Sequence, residues 1–124
     1  MAVRGIRGAT TVEENTREEI ISKTAELLEK LIERNNIPVE EIASVIFSVT
    51  EDLDVEFPAA AAHHLGWAKT PLFCTREIPV RGSLKKCIRV LMHVNSDKKQ
   101  KEMVHVYLYK AKKLRPDLSS DEKE

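Results

Sequence analysis

A long amphipathic helix near the start of the chain constrains the fold more than any other feature of the sequence. Thr16 followed by Glu19 has the spacing of a capping box, which predicts a helix from there to about residue 34. Its apolar face consists of Ile20, Thr24, Leu27, Leu28, Leu31 and Ile32, and its charged face of Glu18, Glu26, Lys30 and Glu33. A helix with a single apolar face must pack on another layer. We therefore expect this helix to pack on a β-sheet.

Short apolar segments supply the strands of that sheet. They are residues 2–10, 43–49, 71–75, 86–95 and 104–111. Residues 57–66 predict a second, shorter helix with Gly66 at its C-terminal end. The predicted fold class is α+β, a mixed β-sheet with helices on one face, in a single domain over residues 1–115 with a flexible tail over 116–124. Because the other face of so small a sheet stays open, we expect a homo-oligomer with sites at the subunit seams.

The charge balance and the cysteines exclude several functional classes. Twenty basic residues offset twenty acidic ones, so the chain lacks the positive field of a nucleic-acid-binding protein. No run approaches the roughly 20 apolar residues of a membrane span, so we expect no membrane partner and a cytoplasmic location. Cys74 and Cys87 lack CxxC spacing, which predicts free thiols. His63 and His64 lack the i, i+4 spacing of a zinc site, so no metal site is expected.

Four polar side chains stand in or beside apolar segments, and an anion could be the partner of the two arginines among them. Arg7 precedes Gly8 in the first strand, and Arg89 lies on a strand face that also carries apolar residues. Glu77 follows a strand, and Tyr107 lies in the last one. Each has a simpler interpretation as well. Arg89 and Glu77 could be solvated surface residues, and Tyr107 could be a packing residue between strands.

The order of motifs along the chain narrows these alternatives. The motifs are RGIRGATTVE at 4–13, FPA at 57–59, CxxE at 74–77, GxLKKCIRV at 82–90, HVYL at 105–108 and LRPDL at 114–118. From residue 4 to about residue 118 the chain resembles the monofunctional, trimeric class of chorismate mutase. The resemblance implies a homotrimer that forms a pseudo-α/β-barrel. It also implies conversion of chorismate to prephenate on the route to phenylalanine and tyrosine.

The reaction that the resemblance implies is a [3,3] sigmatropic rearrangement, which needs no nucleophile, metal or cofactor. The protein holds a flexible dianion in its folded conformer and stabilises the charge that separates as the ether C–O bond breaks. By resemblance, Arg89 donates a hydrogen bond to the ether oxygen, and Glu77 accepts one from the ring hydroxyl. Arg7 and Tyr107 bind substrate carboxylate.

The resemblance also implies a second group of substrate-binding residues around the site. They are Cys74 as a polar wall contact, Phe57 and Ala59 from the neighbouring subunit, His63 at the rim, and Leu114 and Arg115 at the C-terminal mouth. The family commonly has a basic residue where this chain has Ala60 and His63. A shorter connection to Trp67 leaves His64 as an alternative to His63.

The sequence leaves open an alternative function from another class. Trimeric folds of similar layout also serve as small-metabolite-binding or deaminase-like regulatory proteins with an arginine in an intersubunit cleft. The presence of Glu77 together with Arg89 counts against this alternative. A carboxylate beside a dianion weakens binding unless it orients the substrate or acts in the transition state.

Overall fold

Five strands and two α-helices form residues 1–114, the part of the chain that the computed structural model describes. They are β1 (Ala2–Thr11), α1 (Arg17–Asn35), β2 (Ile42–Val49), α2 (Ala59–His64), β3 (Leu72–Arg76), β4 (Cys87–Ser96) and β5 (Val106–Tyr107). Single 3₁₀ turns lie at Val39–Glu41, Gln100–Glu102 and Tyr109–Lys113. The predicted α+β class is confirmed. Arg115 and the tail predicted for 116–124 lie outside the described residues.

The bounds of α1 follow from its caps. The hydroxyl of Thr16 accepts a hydrogen bond from the backbone N–H of Glu19 at 3.2 Å, as the capping pattern predicts. The reciprocal contact of the box differs from the prediction. The carboxylate of Glu19 accepts from the N–H of Glu13 at 3.0 Å, because the N–H of Thr16 donates to the carbonyl of Glu14. The helix ends at Asn35, and the following C-cap residue, Asn36, takes the left-handed conformation with φ 52°.

The sheet is mixed, with strand order β3-β2-β4-β1-β5. The central strand β4 pairs antiparallel with both β1 and β2. The edge strands pair parallel to their neighbours, β3 to β2 and β5 to β1. Both helices pack on the same face, where they bury the main core. The predicted arrangement of a mixed sheet with helices on one face is therefore confirmed.

Aliphatic side chains fill the space between α1 and the sheet. Fully buried members of this core include Ile6, Leu27, Leu28, Leu31, Phe47, Met92 and Val106. Gly8 lets the helix approach β1 closely. A Cβ at this position would lie 3.0 Å from Cδ1 of Leu31 and 3.1 Å from Cδ1 of Leu27. Since interiors are close-packed, these leucines have little room to withdraw.

The second helix ends where the sequence predicts, whereas the last strand is shorter than predicted. Gly66 follows α2 with φ 82° and donates its N–H to the carbonyl of His63 at 3.0 Å. The prediction of a strand over 104–111 is wrong in extent, since only Val106–Tyr107 pairs with β1. Upstream, the N–H of Arg7 donates to Nδ1 of His105 at 2.9 Å, so a side chain replaces a ladder partner. Downstream, Tyr109 has φ 54° and opens a 3₁₀ turn.

The sheet face turned away from the helices, which we call the open face, carries exposed apolar side chains. By strand alternation this face includes Val3, Phe73 and Leu91, which are 59%, 66% and 38% exposed. A small cluster of Ala9, Cys87, Tyr107 and Ala111, with Leu84 and Leu114 against it, covers only the end of this face near β5. One face of the sheet is thus apolar and uncovered in the single chain, as the sequence predicts for so small a sheet.

Changing Gly8 to Ala should destabilise the fold by about 1–2 kcal/mol, because the added methyl overpacks the space between β1 and two buried leucines. The matched control is Gly5→Ala on the same strand, where the new Cβ has its nearest neighbour at 3.8 Å. This control should be neutral or slightly stabilising, since alanine restricts the unfolded chain. Urea unfolding at equilibrium measures both. Equal effects of the two changes would contradict the tight approach of α1.

Candidate active site

One row of side chains across the open face builds the candidate site. Strand register pairs Thr75 with Ser48, Ser48 with Arg89, Arg89 with Ala9 and Ala9 with Tyr107. The row therefore crosses all five strands. Because paired residues of neighbouring strands project to the same face, this register brings residues from distant parts of the sequence together.

A cavity of about 350 Å³ lies over this row. It is lined by Arg7, Gly8, Ile46, Ser48, Arg89, Val90, Leu91, Tyr107 and Leu114. Four of the predicted site residues therefore meet here, namely Arg7, Arg89, Tyr107 and Leu114. The described lining includes two arginines and no acidic side chain. An apolar cleft with a few convergent charged groups is typical of a small-molecule site, and these charges suit an anion.

Glu77 reaches Arg89 from the end of β3. Its backbone N–H donates to the carbonyl of Val49 at 2.8 Å, which extends the pairing of β3 with β2 by one residue. The Glu77 carboxylate then lies 3.3 Å from Nε of Arg89 through one oxygen. Its other oxygen accepts a hydrogen bond from the hydroxyl of Ser48. The Glu77 side chain is 21% exposed and that of Arg89 44% exposed, so the pair is partly buried and still open to a ligand.

Arg7 and Tyr107 present polar groups in the same cavity. The guanidinium of Arg7 makes no hydrogen bond or ion pair with another residue of the described chain and is exposed. Tyr107 is 4% exposed and packs with Ala9, Cys87 and Ala111. The predicted packing role of Tyr107 is therefore present together with its position in the cavity wall.

The remaining predicted residues lie elsewhere in the chain. Cys74 packs against the main core on the helix side of the sheet, next to Ala59. Phe57, just before α2, is 71% exposed. His63 and His64 are exposed on α2 and border a groove between the two helices. None of these described residues lines the Arg89 cavity of the same chain. The predicted site residues therefore form two separate groups.

Burial decides the chemistry of both thiols. Burial raises the pKa of Cys87 to about 11, although the Arg89 guanidinium acts in the opposite direction. Burial also raises the pKa of Cys74, against a smaller lowering effect of the Ala59 backbone. Neither environment activates a nucleophile. Both cysteines are free thiols, as predicted.

Two further features of residues 1–114 bear on partners. In this part of the chain, no group of three or more histidine, cysteine, aspartate or glutamate side chains comes together as a metal site. Neither of its α-helices is long and apolar enough to cross a membrane.

Sequence reasoning missed one residue of the site, Ser48. In the segment 43–49, Ser44, Ile46 and Ser48 alternate with the buried Val45 and Phe47. Two serines on one face of a short strand were a sign that this face is not a plain apolar core. Their partners on the neighbouring strands could not be inferred, because the strand order was unknown.

Nearly the whole chain matches a known protein family. A family model described as chorismate mutase type I matches residues 3–118. The chain belongs to the type I chorismate mutase family. It is similar to the chorismate mutase AroH of Bacillus subtilis strain 168, with 52% identity over 120 residues that cover 96% of this chain and 94% of the relative. The AroH chorismate mutase of Thermus thermophilus is 56% identical over 119 residues, covering 95% and 98%.

A solved structure agrees with this family. The chorismate mutase from Clostridium thermocellum matches with a TM-score of 0.86 and 55% identity, over 87% of this chain and 96% of that chain. The resemblance drawn from the sequence motifs is therefore confirmed, and the chain is an enzyme of the chorismate mutase class. These relatives do not support the alternative of a metabolite-binding or deaminase-like regulatory protein.

The thiol of Cys87 should be almost unreactive in the folded protein. At pH 8 a thiol with a pKa of about 11 has a thiolate fraction about 100-fold below that of an ordinary cysteine, and burial restricts access further. Iodoacetamide alkylation of a Cys74→Ser variant, followed by mass spectrometry, isolates this residue. The rate should rise about tenfold per pH unit from 8 to 10, because the thiolate increases in that proportion. Alkylation at the rate of the urea-unfolded protein would contradict the burial.

Proposed function

We propose that this enzyme converts chorismate to prephenate in the cavity on the open face, with Arg89 as the central electrostatic group. The single observation that carries the proposal is the geometry of Arg89. Glu77 holds it through Nε at 3.3 Å, and it lines a cavity of about 350 Å³ that contains a second arginine, Arg7. A small organic dianion matches both the size and the charge of this cavity.

Binding in this cavity would hold the substrate in its reactive conformer. The exposed guanidinium of Arg7 is suited to a carboxylate, which arginine binds through two parallel hydrogen bonds. Tyr107 adds a hydroxyl on a buried ring, and Leu91 and Leu114 supply apolar walls. A flexible substrate held by a carboxylate and enclosed by apolar walls loses its extended conformers on binding. The entropic cost of reaching the folded conformer is then offset by the binding free energy and does not add to the barrier of the chemical step.

Charge separation in the transition state would be stabilised by the Arg89–Glu77 pair. As the ether C–O bond breaks, negative charge grows on the oxygen and the ring becomes electron-poor. The terminal N–H groups of Arg89 would donate to that oxygen, since its Nε faces Glu77. Glu77 would accept a hydrogen bond from the ring hydroxyl and lie near the positive side. Donors fixed before the reaction are the usual source of such stabilisation.

We propose further that complete sites form between copies of the chain in a homotrimer. Two observations support this arrangement. The open face carries exposed apolar side chains around the cavity, among them Phe73 and Leu91. The predicted residues Phe57, Ala59, Cys74 and His63 lie apart from the cavity of their own chain. A neighbouring copy would cover the apolar face and close the cavity with this second group.

The metabolic setting is part of the same proposal. Prephenate leads to phenylalanine and tyrosine, so the enzyme would act in aromatic amino acid biosynthesis. A cytoplasmic location is supported by the two cysteines, which are free thiols.

Loss of chorismate absorbance with purified protein and no added metal or cofactor is the direct test. Replacing Arg89 with Gln should lower kcat by on the order of 100-fold to 1,000-fold or more, the usual scale for losing a preorganised donor. Arg4→Gln is the control, because Arg4 donates to the carbonyl of Lys98 away from the cavity. It should change kcat less than about twofold. An unchanged kcat in Arg89→Gln, with assembly retained, would remove Arg89 from its role.

Mixed assemblies test the sharing of sites between subunits. A chain with Arg89→Gln cannot contribute the arginine to a shared site. A chain with Phe57→Asp cannot contribute the apolar wall, since the new carboxylate would repel the dianion. After the two variants are unfolded together and refolded at equal amounts, about a quarter of the sites should contain both native residues. Activity should recover to about that fraction, and light scattering should give the mass of a trimer. Recovery no greater than the sum of the separate variants would contradict shared sites.

A further inference from the structure

We infer that Ser48 is a positioning residue for the reaction, because it holds Glu77 in the orientation that leaves Arg89 free for substrate. The inference rests on the proposed function of the same cavity. It starts from a contact of Glu77 that the proposed roles of Arg89 and Glu77 do not use. The Glu77 carboxylate is held between two donors, Nε of Arg89 on one oxygen and the Ser48 hydroxyl on the other.

The fold places Ser48 between these two residues. It lies on β2, the strand between β3 and β4, where register pairs it directly with Arg89. Glu77 follows β3 on its other side, tied to β2 by the hydrogen bond from its N–H to Val49. The serine side chain is therefore attached to the rigid strand between the two charged groups. Sites supported by strands hold their geometry better than sites on loops alone.

The Ser48 hydroxyl controls how Glu77 engages the guanidinium. A carboxylate and an arginine favour a two-bond arrangement in which both oxygens meet N–H groups of one edge. Such an arrangement would occupy a terminal nitrogen of Arg89 as well as Nε. Because Ser48 occupies the second carboxylate oxygen, the ion pair runs through Nε. The terminal N–H groups stay available for the ether oxygen of the substrate.

The hydroxyl also limits the conformations of the Glu77 side chain. A glutamate held at only one oxygen can rotate about its terminal bond, which is a broad and soft torsion. With both oxygens held, one arrangement is selected before substrate binds. This matters because the groups that stabilise a transition state act best when they need no reorganisation. Ser48 therefore affects the rate through Glu77 and Arg89, without a contact to the reacting atoms.

Replacing Ser48 with Ala should lower kcat about tenfold, the effect of losing one hydrogen bond to a charged group. KM should change less than about twofold, since the lost interaction acts mainly in the transition state. Ser48→Thr keeps the hydroxyl and should retain most of kcat. Ser44→Ala is the matched control, because Ser44 lies on the same strand and the same face and its hydroxyl pairs with His93 at 3.1 Å. It should keep the kcat of the native protein.

A double-mutant cycle separates positioning from a general effect on structure. In a Glu77→Ala background Ser48 has no carboxylate to hold, so Ser48→Ala should change kcat less than about twofold further. A tenfold loss in that background would overturn the inference, because Ser48 would then act independently of Glu77. Equal kcat values for Ser48→Ala and Ser44→Ala would overturn it as well. A native protein without turnover would instead refute the proposed function, so the two failures are distinct.

Discussion

The register of β4 between β1 and β2 is the constraint on which the site depends. In this register Val90, Met92 and Val94 face the helices, while Arg89 and Leu91 face the open side. A slip by one residue would turn the arginine into the aliphatic core and a core side chain out of it. Burying an unpaired guanidinium costs several kcal/mol, so packing of the core and placement of Arg89 are decided together. The geometry of the candidate site is thus a consequence of the hydrophobic pattern of one strand.

Incomplete burial distinguishes the open face from the helix-covered face of the sheet. One chain covers one side of its sheet with helices and leaves apolar residues such as Phe73 exposed on the other. The same side holds the cavity with its two arginines. In the proposed trimer a single docking event would bury the apolar surface and supply the second group of site residues. Stability of the assembly and formation of the site would then have the same physical cause.

The sequence predicted the elements far better than it predicted their contacts. The caps and periodicity of α1 act within a few residues, and the pattern therefore set its bounds. The segment after β5 differs from its prediction. The segment after Tyr107 has strand composition, yet Tyr109 turns into the left-handed region and Ala111 is buried in a 3₁₀ turn. Ser48 was missed for a related reason, because its role exists only through the strands on either side of it.

The sequence by itself determined the family, the fold class and the identity of the charged residues, since motif order, helix caps and alternation are local properties of the chain. Only the tertiary structure decided which of those residues meet. It brought Arg7, Arg89 and Tyr107 into one cavity and left Cys74 and Ala59 on the helix side of the sheet. The physical reason is that strand order and register depend on burial summed over the whole core. No single segment contains that information.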